Sequence, residues 1–201
     1  MDHPAKFTYQ ALESRTKALS IALGFRDRST QEHSDRVQDL ATELGIAAGL
    51  SEGEISALRI SSKFHDIGKI GIPDHILMKP GKLDDDDWEI MHKHPAIGEQ
   101  IVLSTELDGA SQTAHIIRHH HEHIDGSGYP DGVSGENIPI GARIISIVDS
   151  YDAMAYTRAY HRGRSHSQII EILESETGIK HDPDLMRHFH KCIKRSDFRV
   201  R

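Results

Sequence analysis

The chain has 201 residues, of which 37% are hydrophobic and 27% are charged, a composition typical of one folded, water-soluble domain. Its formal net charge of −7 argues against a protein that binds nucleic-acid polymers, because such proteins present a basic face to the phosphates. The single cysteine, Cys192, excludes an internal disulfide and a zinc site built from several cysteines. Histidine is the unusual residue, with 16 copies, and imidazole is a common ligand of transition metals.

Hydrophobic periodicity predicts helices along the first half of the chain. The first would cover residues 9–25, and the second would begin with Thr30 as its N-cap and end near residues 45–49. Ser51 and Glu54 have the spacing of a capping box for a third helix, which would run to the pair His65-Asp66. Glycines and prolines then predict a loop over residues 68–81.

The second half of the sequence continues the helical pattern. Residues 84–87 would open one helix and Pro95 the next, and further helices are predicted over residues 110–121, 140–155, 165–176 and 183–194. A loop is predicted over residues 125–139, and the alternation typical of half-buried strands is scarce. We therefore expect an all-α fold, with an N-terminal helix region over residues 1–26 and a single globular domain over residues 27–201.

Targeting and membrane segments are not predicted from the sequence. No apolar run approaches the ~20 residues of a membrane-spanning helix, and no secretory signal opens the chain. The cytoplasm is therefore the expected location, and the sequence leaves the oligomeric state open.

Histidines and aspartates in three parts of the sequence indicate a metal site. His65 and Asp66 are adjacent, so both reach one metal region only if their helix ends there or two metals lie side by side. The three histidines at 119–121 would fan over ~200° of a helix, so at most two of them are expected to serve one site. Asp149 follows an apolar run, where an unpaired carboxylate would be costly and a bound cation would offset that cost.

These residues and their surroundings resemble the HD-GYP family of the HD phosphohydrolase superfamily. The resemblance runs from about residue 27 to residue 189. It rests on His33, His65-Asp66-Ile67-Gly68-Lys69-Ile70-Gly71-Ile72-Pro73, His94-Pro95 with Gly98, His120-His121-Glu122, Asp125-Gly126-Ser127-Gly128-Tyr129-Pro130 and Asp149. The family consists of bacterial phosphodiesterases that act on cyclic dinucleotides, chiefly cyclic di-GMP, and it implies a compact multi-helix HD-domain fold with a central metal site.

The resemblance implies a set of metal ligands. They are His33, His65, Asp66, His94, His120, His121 and Asp149. Asp66 would bridge two divalent transition metals, which the family implies to be iron or manganese, whereas the ligand types also allow nickel or zinc. Some family members hold a third metal with a glutamate four residues before the first ligand histidine. Ser29 occupies that position here, so we expect two metals.

The resemblance also implies catalytic and substrate-binding residues. Asp66 and Lys69 would be the catalytic pair, with Lys69 holding a phosphate oxygen as a point charge. Tyr129, Asp152 and Arg158 would bind substrate, with Tyr129 offering its face to a guanine. The chain has His161 at a position where the family commonly has a basic residue, which is expected to weaken phosphate binding there. Glu122 and Asp125 are candidates for orienting the ligands. His181, His188 and His190 are expected to have ordinary surface roles, and His115, His119 and His123 are not expected to be ligands.

Three functions remain open from the sequence. The first is a metal-dependent phosphodiesterase that cleaves cyclic di-GMP to linear pGpG, with GMP as a further product to test. The second is the same chemistry on another nucleotide, such as cyclic GMP-AMP or a linear dinucleotide. The third is a non-catalytic signalling module whose Gly-Tyr-Pro loop contacts partners such as diguanylate cyclase domains. The intact ligand set weighs against this third function, because a pure interaction module need not keep a costly buried cluster.

Overall fold

The computed structural model of the protein describes residues 4–26, 28–156 and 163–200, and these residues form helices joined by turns. The α-helices are α1 Pro4–Arg26, α2 Arg28–Ala47, α3 Glu52–Phe64, α4 Asp74–Leu77, α5 Asp85–Met91, α6 His94–Leu103, α7 Ala110–Arg118, α8 Ile140–Ala155, α9 His166–Ser175 and α10 Pro183–Ile193. Two 3-10 helices cover Ile67–Gly71 and Gly135–Asn137. Strands are absent from the described ranges, apart from one isolated bridge between Thr177 and His181, so the all-α expectation is confirmed.

Helix starts follow the capping signals of the sequence. Ser51 and Glu54 form the predicted capping box of α3, and Asp84 caps α5 by accepting a hydrogen bond from the Asp87 amide. Ser165 caps α9 in the same way, and Asp182 accepts the first amide hydrogen bonds of α10. These short-range contacts explain why the predicted starts of the four helices agree with the structure.

The core is built around α8. Ile144, Ile145, Ile147 and Val148 are all completely buried, so this helix is apolar nearly all round and lies inside the molecule. It contacts α2 and α9, and α3, α7 and α10 complete the layer around it. A carboxylate on such a helix, as at Asp149, is therefore held at a fixed position in the interior.

Helix α1 packs against α2 and α3 and places Leu12 and Leu23 in the main apolar core. Its last residue, Arg26, donates hydrogen bonds to the carbonyl oxygens of Lys69 and Ile70, at 3.2 and 2.7 Å. The domain boundary expected after residue 26 stays a prediction, and the described part of α1 shares its core with the rest of the chain. No helix of the described ranges combines the length and apolar character that crossing a membrane requires.

Three predicted boundaries are wrong. Helix α2 begins at Arg28, and Thr30 is a buried residue of its first turn, because packing against the core outweighs its preference for the N-cap. The predicted loop over residues 68–81 contains a 3-10 helix and the short α4, whose Ile76 and Leu77 form a small apolar cluster with Ile72. The helix predicted over residues 110–121 ends at Arg118. The imidazoles of His119 and His120 then bond to carbonyl oxygens of its last turns.

Candidate metal centre

The imidazoles of three central histidines are fixed by backbone carbonyls. The Nδ1 atoms lie 2.6 to 2.8 Å from oxygens one turn earlier in the chain: His65 from Ser62, His94 from Met91 and His120 from Ile117. A carbonyl oxygen can only accept, so each Nδ1 carries the hydrogen and donates it. The lone pair of each Nε2 is therefore free to serve as a ligand.

These Nε2 atoms meet in the interior. Nε2 of His65 is buried without a hydrogen-bond partner, and Nε2 of His94 lies only 3.4 Å from Nε2 of His120. Two lone pairs that face each other at this distance repel unless a cation lies between or beside them. The donor set therefore fits a divalent metal, since neutral imidazole nitrogens and carboxylates are what such ions bind.

Asp66 connects two halves of this cluster. One carboxylate oxygen lies 3.6 Å from Nε2 of His65, and the other lies 3.4 Å from Nε2 of His94. The ammonium of Lys69 lies 2.6 Å from Asp66 Oδ2. Burial alone would raise the pKa of Asp66, but Lys69 and the surrounding histidines outweigh it and hold that pKa well below its usual value. Asp66 is therefore an anion with one oxygen turned toward each half.

Asp149 and His33 complete the first half. Nε2 of His33 lies 2.9 Å from Asp149 Oδ1, and the same oxygen lies 4.0 Å from Nε2 of His65. Burial alone would raise the pKa of Asp149, but hydrogen bonding and charge interaction with His33 hold it well below its usual value. Burial would likewise lower the pKa of His33, but its hydrogen bonds to Asp149 and Asp152 outweigh burial and raise it.

The seven residues predicted as ligands thus lie in one cluster with two parts. The ligand atoms of His33, His65 and Asp66 lie within 4.8 Å of one another, and those of His94, His120 and His121 form a second such group. Asp66 lies between the two groups and Asp149 beside the first. This division is the arrangement expected of a pair of metals that share one carboxylate.

The end of α7 explains how two adjacent histidines reach one site. The Ile117 carbonyl accepts the Nδ1 hydrogen of His120 and the His115 carbonyl accepts that of His119, so side chains take the carbonyls that a longer helix would use. The chain leaves the helix at Arg118, and His120 and His121 then lie in the cluster. His119 lies elsewhere, as expected, with Nε2 3.0 Å from an oxygen of Asp131.

His119 belongs to a second polar group, with Glu122 and Asp131. Both oxygens of Asp131 accept hydrogen bonds from the Arg118 guanidinium, at 2.6 and 2.7 Å. Glu122 Oε1 accepts hydrogen bonds from the backbone amides of Asp131 and Gly132. Glu122 therefore fastens the loop over residues 125–139 to the end of α7, and the ligand-orienting role expected of it stays a prediction.

The Gly-Tyr-Pro loop lies directly against the ligand histidines. A Cβ atom on Gly128 would come within 2.5 Å of the His121 carbonyl oxygen and 2.3 Å of the His123 amide nitrogen, so only glycine fits at this position. The close approach brings Tyr129 onto His121, with ring centroids 4.9 Å apart, and its ring also stacks on His92 at 3.9 Å. Trp88 continues the row, with its ring centroid 5.3 Å from that of His92.

Two predicted substrate residues have contacts within the protein. Asp152 is buried, with Oδ2 2.6 Å from Nδ1 of His33 and both oxygens bound by the Arg36 guanidinium at 2.7 and 2.9 Å. Its carboxylate is therefore engaged by His33 and Arg36, and the substrate contact expected of it stays a prediction. The Tyr129 ring is stacked on the imidazoles of His92 and His121, and its expected role as a face for guanine also stays a prediction.

Other expectations are corrected or fall outside the described residues. Arg158 and His161 lie outside the described residues, and so does the side chain of Ser29. His181 was expected at the surface but is buried, with Nδ1 3.4 Å from the Ser146 hydroxyl. It precedes the N-cap Asp182, a position from which a side chain commonly packs back onto its helix, and this signal could have predicted its burial.

Arg36 contacts the cluster through Asp152 and was not predicted from the sequence. It lies three residues after His33 on α2, so both side chains share one helix face and reach Asp152 together. Its guanidinium also lies 3.8 Å from the ring centroid of Tyr156. The spacing of an arginine one turn after a candidate ligand was the available signal.

Burial keeps four imidazoles of the cluster neutral at neutral pH. It lowers the pKa of His94 to about 4 and that of His120 to about 3, and it also lowers the pKa of His65 and His121. A neutral imidazole is the form that binds metal, so burial favours the metal-binding form of all four.

The same pKa shifts predict acid sensitivity in the metal-free protein. Histidines have pKa ≈ 6.5 when unfolded, so between pH 6.5 and about 4 the unfolded chain takes up protons that His94 and His120 in the folded chain do not. The free energy of unfolding should therefore fall as the pH drops through this window, by up to about 2 kcal/mol per such histidine at pH 5. The raised pKa of His33 stabilises the folded protein as the pH falls, but the lowered pKa values of His94 and His120 together have the larger effect.

Urea unfolding of chelator-treated protein at pH 7.5 and pH 5, followed by circular dichroism, measures this dependence. His120→Asn removes one of the titrating groups and should give a shallower dependence. A free energy of unfolding that stays constant or rises between pH 7.5 and pH 5 would contradict the prediction.

Comparison with known proteins identifies the family. The model of the HD domain family matches residues 17–185, which is most of the chain. This chain belongs to the HD domain family. The resemblance expected from its motifs is thereby confirmed, as is the fold.

The relatives of this HD domain are phosphodiesterases by name. It is 37% identical over 165 residues to the cyclic di-GMP phosphodiesterase response regulator RpfG of Xanthomonas campestris, covering 82% of this chain and 44% of the relative. It is 39% identical over 168 residues to the 3'3'-cGAMP-specific phosphodiesterase 2 of Vibrio cholerae, covering 84% of this chain and 32% of the relative. The chain therefore spans less than half the length of either protein.

A solved structure shares the fold of this HD domain. Bd1817, an HDG"Y"P protein from Bdellovibrio bacteriovorus, superimposes with a TM-score of 0.66 at 22% identity, covering 94% of this chain and 61% of that chain. At this identity the likeness concerns the helical architecture alone.

Proposed function

We propose that this HD domain is a metal-dependent phosphodiesterase that hydrolyses cyclic dinucleotides, with cyclic di-GMP converted to linear pGpG as the main reaction. The observation that carries the proposal is Asp66, whose two oxygens face two separate groups of histidine Nε2 atoms. The name of the Xanthomonas relative supports the same reaction and substrate.

The residues assigned to metal binding are the seven of the cluster. His33, His65 and Asp149 would hold one divalent ion, His94, His120 and His121 the other, and Asp66 both. Iron or manganese is proposed from the resemblance, and nickel or zinc suits the same ligand types. When bound, such a pair supplies a hydroxide nucleophile at neutral pH and neutralises charge on the phosphate.

The protein's own groups prepare the site for that chemistry. Lys69 is a positive charge at the edge of the cluster, with its side chain 19% exposed, so its ammonium can pass from Asp66 to an arriving phosphate oxygen. Arg36 and Asp152 hold His33 in place, and the carbonyls of Ser62, Met91 and Ile117 fix the orientation of three further imidazoles. These contacts reduce the rearrangement needed when substrate binds.

A second candidate substrate is cyclic GMP-AMP. The specific observation in its favour is the Vibrio cholerae relative, which is named for that substrate and is 39% identical over the aligned residues. A purely non-catalytic signalling role is less well supported, because the described cluster brings together every predicted ligand. Contact of the Gly-Tyr-Pro loop with diguanylate cyclase domains and a cytoplasmic location both stay predictions.

Product chromatography tests the proposed reaction. The metal-loaded, reduced protein should convert cyclic di-GMP to pGpG, and prior treatment with a chelator should abolish the conversion. Parallel reactions with cyclic GMP-AMP and pGpG establish the preferred substrate. Unchanged cyclic di-GMP together with rapid cleavage of either alternative would transfer the assignment to that nucleotide, and inactivity toward all three would contradict the proposal.

A further inference from the structure

A turn between α9 and α10 lies against the loop that follows the ligand histidines. It is closed by hydrogen bonds from the Lys180 amide to the Glu176 carbonyl, at 2.9 Å, and from the Gly178 amide to the His181 carbonyl, at 2.8 Å. The amide of Ile124 donates to the Lys180 carbonyl at 3.2 Å, which fastens the turn to the segment after His121. Lys180 is therefore held at a defined place beside the site.

The side chain of Lys180 crosses to α8. Its ammonium donates a hydrogen bond to the Ser150 hydroxyl at 2.9 Å, one residue along the helix from Asp149. Its ion pair with Glu176 is long, with 3.9 Å between the ammonium and a carboxylate oxygen. The ammonium of Lys69, in contrast, lies 2.6 Å from an oxygen of Asp66. Lys180 thus carries a positive charge that is only loosely compensated, on a side chain that is 29% exposed.

The field of this charge reaches a neighbouring imidazole. Burial, and after it the Lys180 charge, lower the pKa of His181 to about 3. Asp149 acts on His181 as well, in the opposite direction. Lys180 and Asp149 therefore lie within electrostatic range of one common residue.

A cyclic dinucleotide requires more positive charge than is supplied by the metal cluster and Lys69, the phosphate-binding groups proposed among the described residues. It has two phosphodiester groups on opposite sides of its ring, and only one of them can lie at the cluster at a time. We propose that Lys180 binds the second phosphate, the one that is not being cleaved. This assignment rests on the proposed function and makes Lys180 a determinant of substrate class, favouring nucleotides with two phosphates.

The chemistry of lysine suits this role. A primary ammonium on a flexible four-carbon stem can exchange a neutral hydroxyl acceptor for an anionic phosphate oxygen without moving the backbone. The backbone hydrogen bonds of the turn keep the base of the stem fixed while the ammonium turns.

Steady-state kinetics with two substrates test the assignment. Cyclic di-GMP has two phosphates, and bis(p-nitrophenyl) phosphate has one, so the second substrate reports the metal centre alone. In Lys180→Met, we expect KM for cyclic di-GMP to rise about tenfold, the loss of one charge-assisted hydrogen bond, with kcat within about twofold. Cleavage of bis(p-nitrophenyl) phosphate should be unchanged, and Lys180→Arg should restore KM.

Two further measurements separate phosphate binding from a structural role. KM for cyclic di-GMP should rise less steeply with NaCl in Lys180→Met than in the wild type, because one screened charge interaction is gone. Lys191→Met, at an exposed position on α10, should match the wild type in every assay.

The outcomes distinguish the two proposals. A wild type that cleaves neither diester contradicts the proposed function. An active wild type whose Lys180→Met variant keeps its KM, or loses activity equally on both substrates without rescue by arginine, contradicts the assignment of Lys180.

Discussion

Replacement of Asp66 by asparagine is expected to reduce the hydrolysis of cyclic dinucleotides by at least about three orders of magnitude and to lower the metal content of the protein. The side chain faces His65 with one oxygen and His94 with the other, and an amide keeps only one oxygen and loses the negative charge. The ammonium of Lys69 would also lose its anionic partner. The other carboxylate of the cluster, Asp149, lies beside His33 and His65, which both belong to the first group.

Elemental analysis together with product chromatography measures both effects. The wild type should carry two transition metals per chain and the Asp66→Asn variant less than one. Asp86→Asn, an exposed carboxylate on α5, is the matched control and should leave metal content and rate unchanged. Lys69→Met should keep its metal but bind phosphate more weakly.

Asp66→Asn with two metals and a normal rate would remove Asp66 from the site. A wild type with one or three metals would contradict the two-metal assignment. Loss of metal in Lys69→Met would give that lysine a structural role in place of a substrate contact.

Replacement of Gly68 by alanine is expected to destabilise the protein by about 2–3 kcal/mol and to remove activity at the same time. A Cβ atom at this position would lie 1.9 Å from the His94 carbonyl oxygen and 2.6 Å from the Gly98 amide nitrogen. Both obstacles are backbone atoms, so the 3-10 helix Ile67–Gly71 would have to move away from α6. That movement would separate Asp66 from His94 and hence the two halves of the cluster.

Urea unfolding gives the change in stability, and product chromatography gives the change in rate. Gly53→Ala is the matched control, because its Cβ would meet no atom within 4 Å on the exposed side of α3. Alanine there should leave the rate unchanged and raise the free energy of unfolding by up to about 1 kcal/mol. A Gly68→Ala variant as stable and as active as the wild type would show that the close contact is not required.

The sequence predicts best those features that depend on neighbours in the chain. The bounds of α8 and the capping box of α3 follow from apolar runs and cap residues a few positions apart, and the structure agrees with both. The motifs also point to the residues that the structure brings together in the buried histidine and aspartate cluster, because their spacing and order match a known family. Thr30 is the counterexample, since core packing overrides its local capping preference.

Features that depend on contacts between distant segments could not be predicted. Arg36 and Asp152 are 116 positions apart, and their pairing becomes visible only when α2 lies beside α8. Lys180 reaches Ser150 through a turn whose sequence gives no sign of its position. The stacking of Tyr129 on His92 and His121 likewise depends on how a loop folds back onto two helices.

A row of contacting rings connects Trp88 to His121, so the intrinsic fluorescence of the protein comes from a residue linked to the cluster. The chain contains one tryptophan, so all of its indole emission comes from Trp88. That indole is 45% exposed and is linked to His121 through the contacting rings of His92 and Tyr129. We therefore expect a rearrangement of the His121 imidazole to change the surroundings of this one indole, so that metal binding would alter the fluorescence of unlabelled protein.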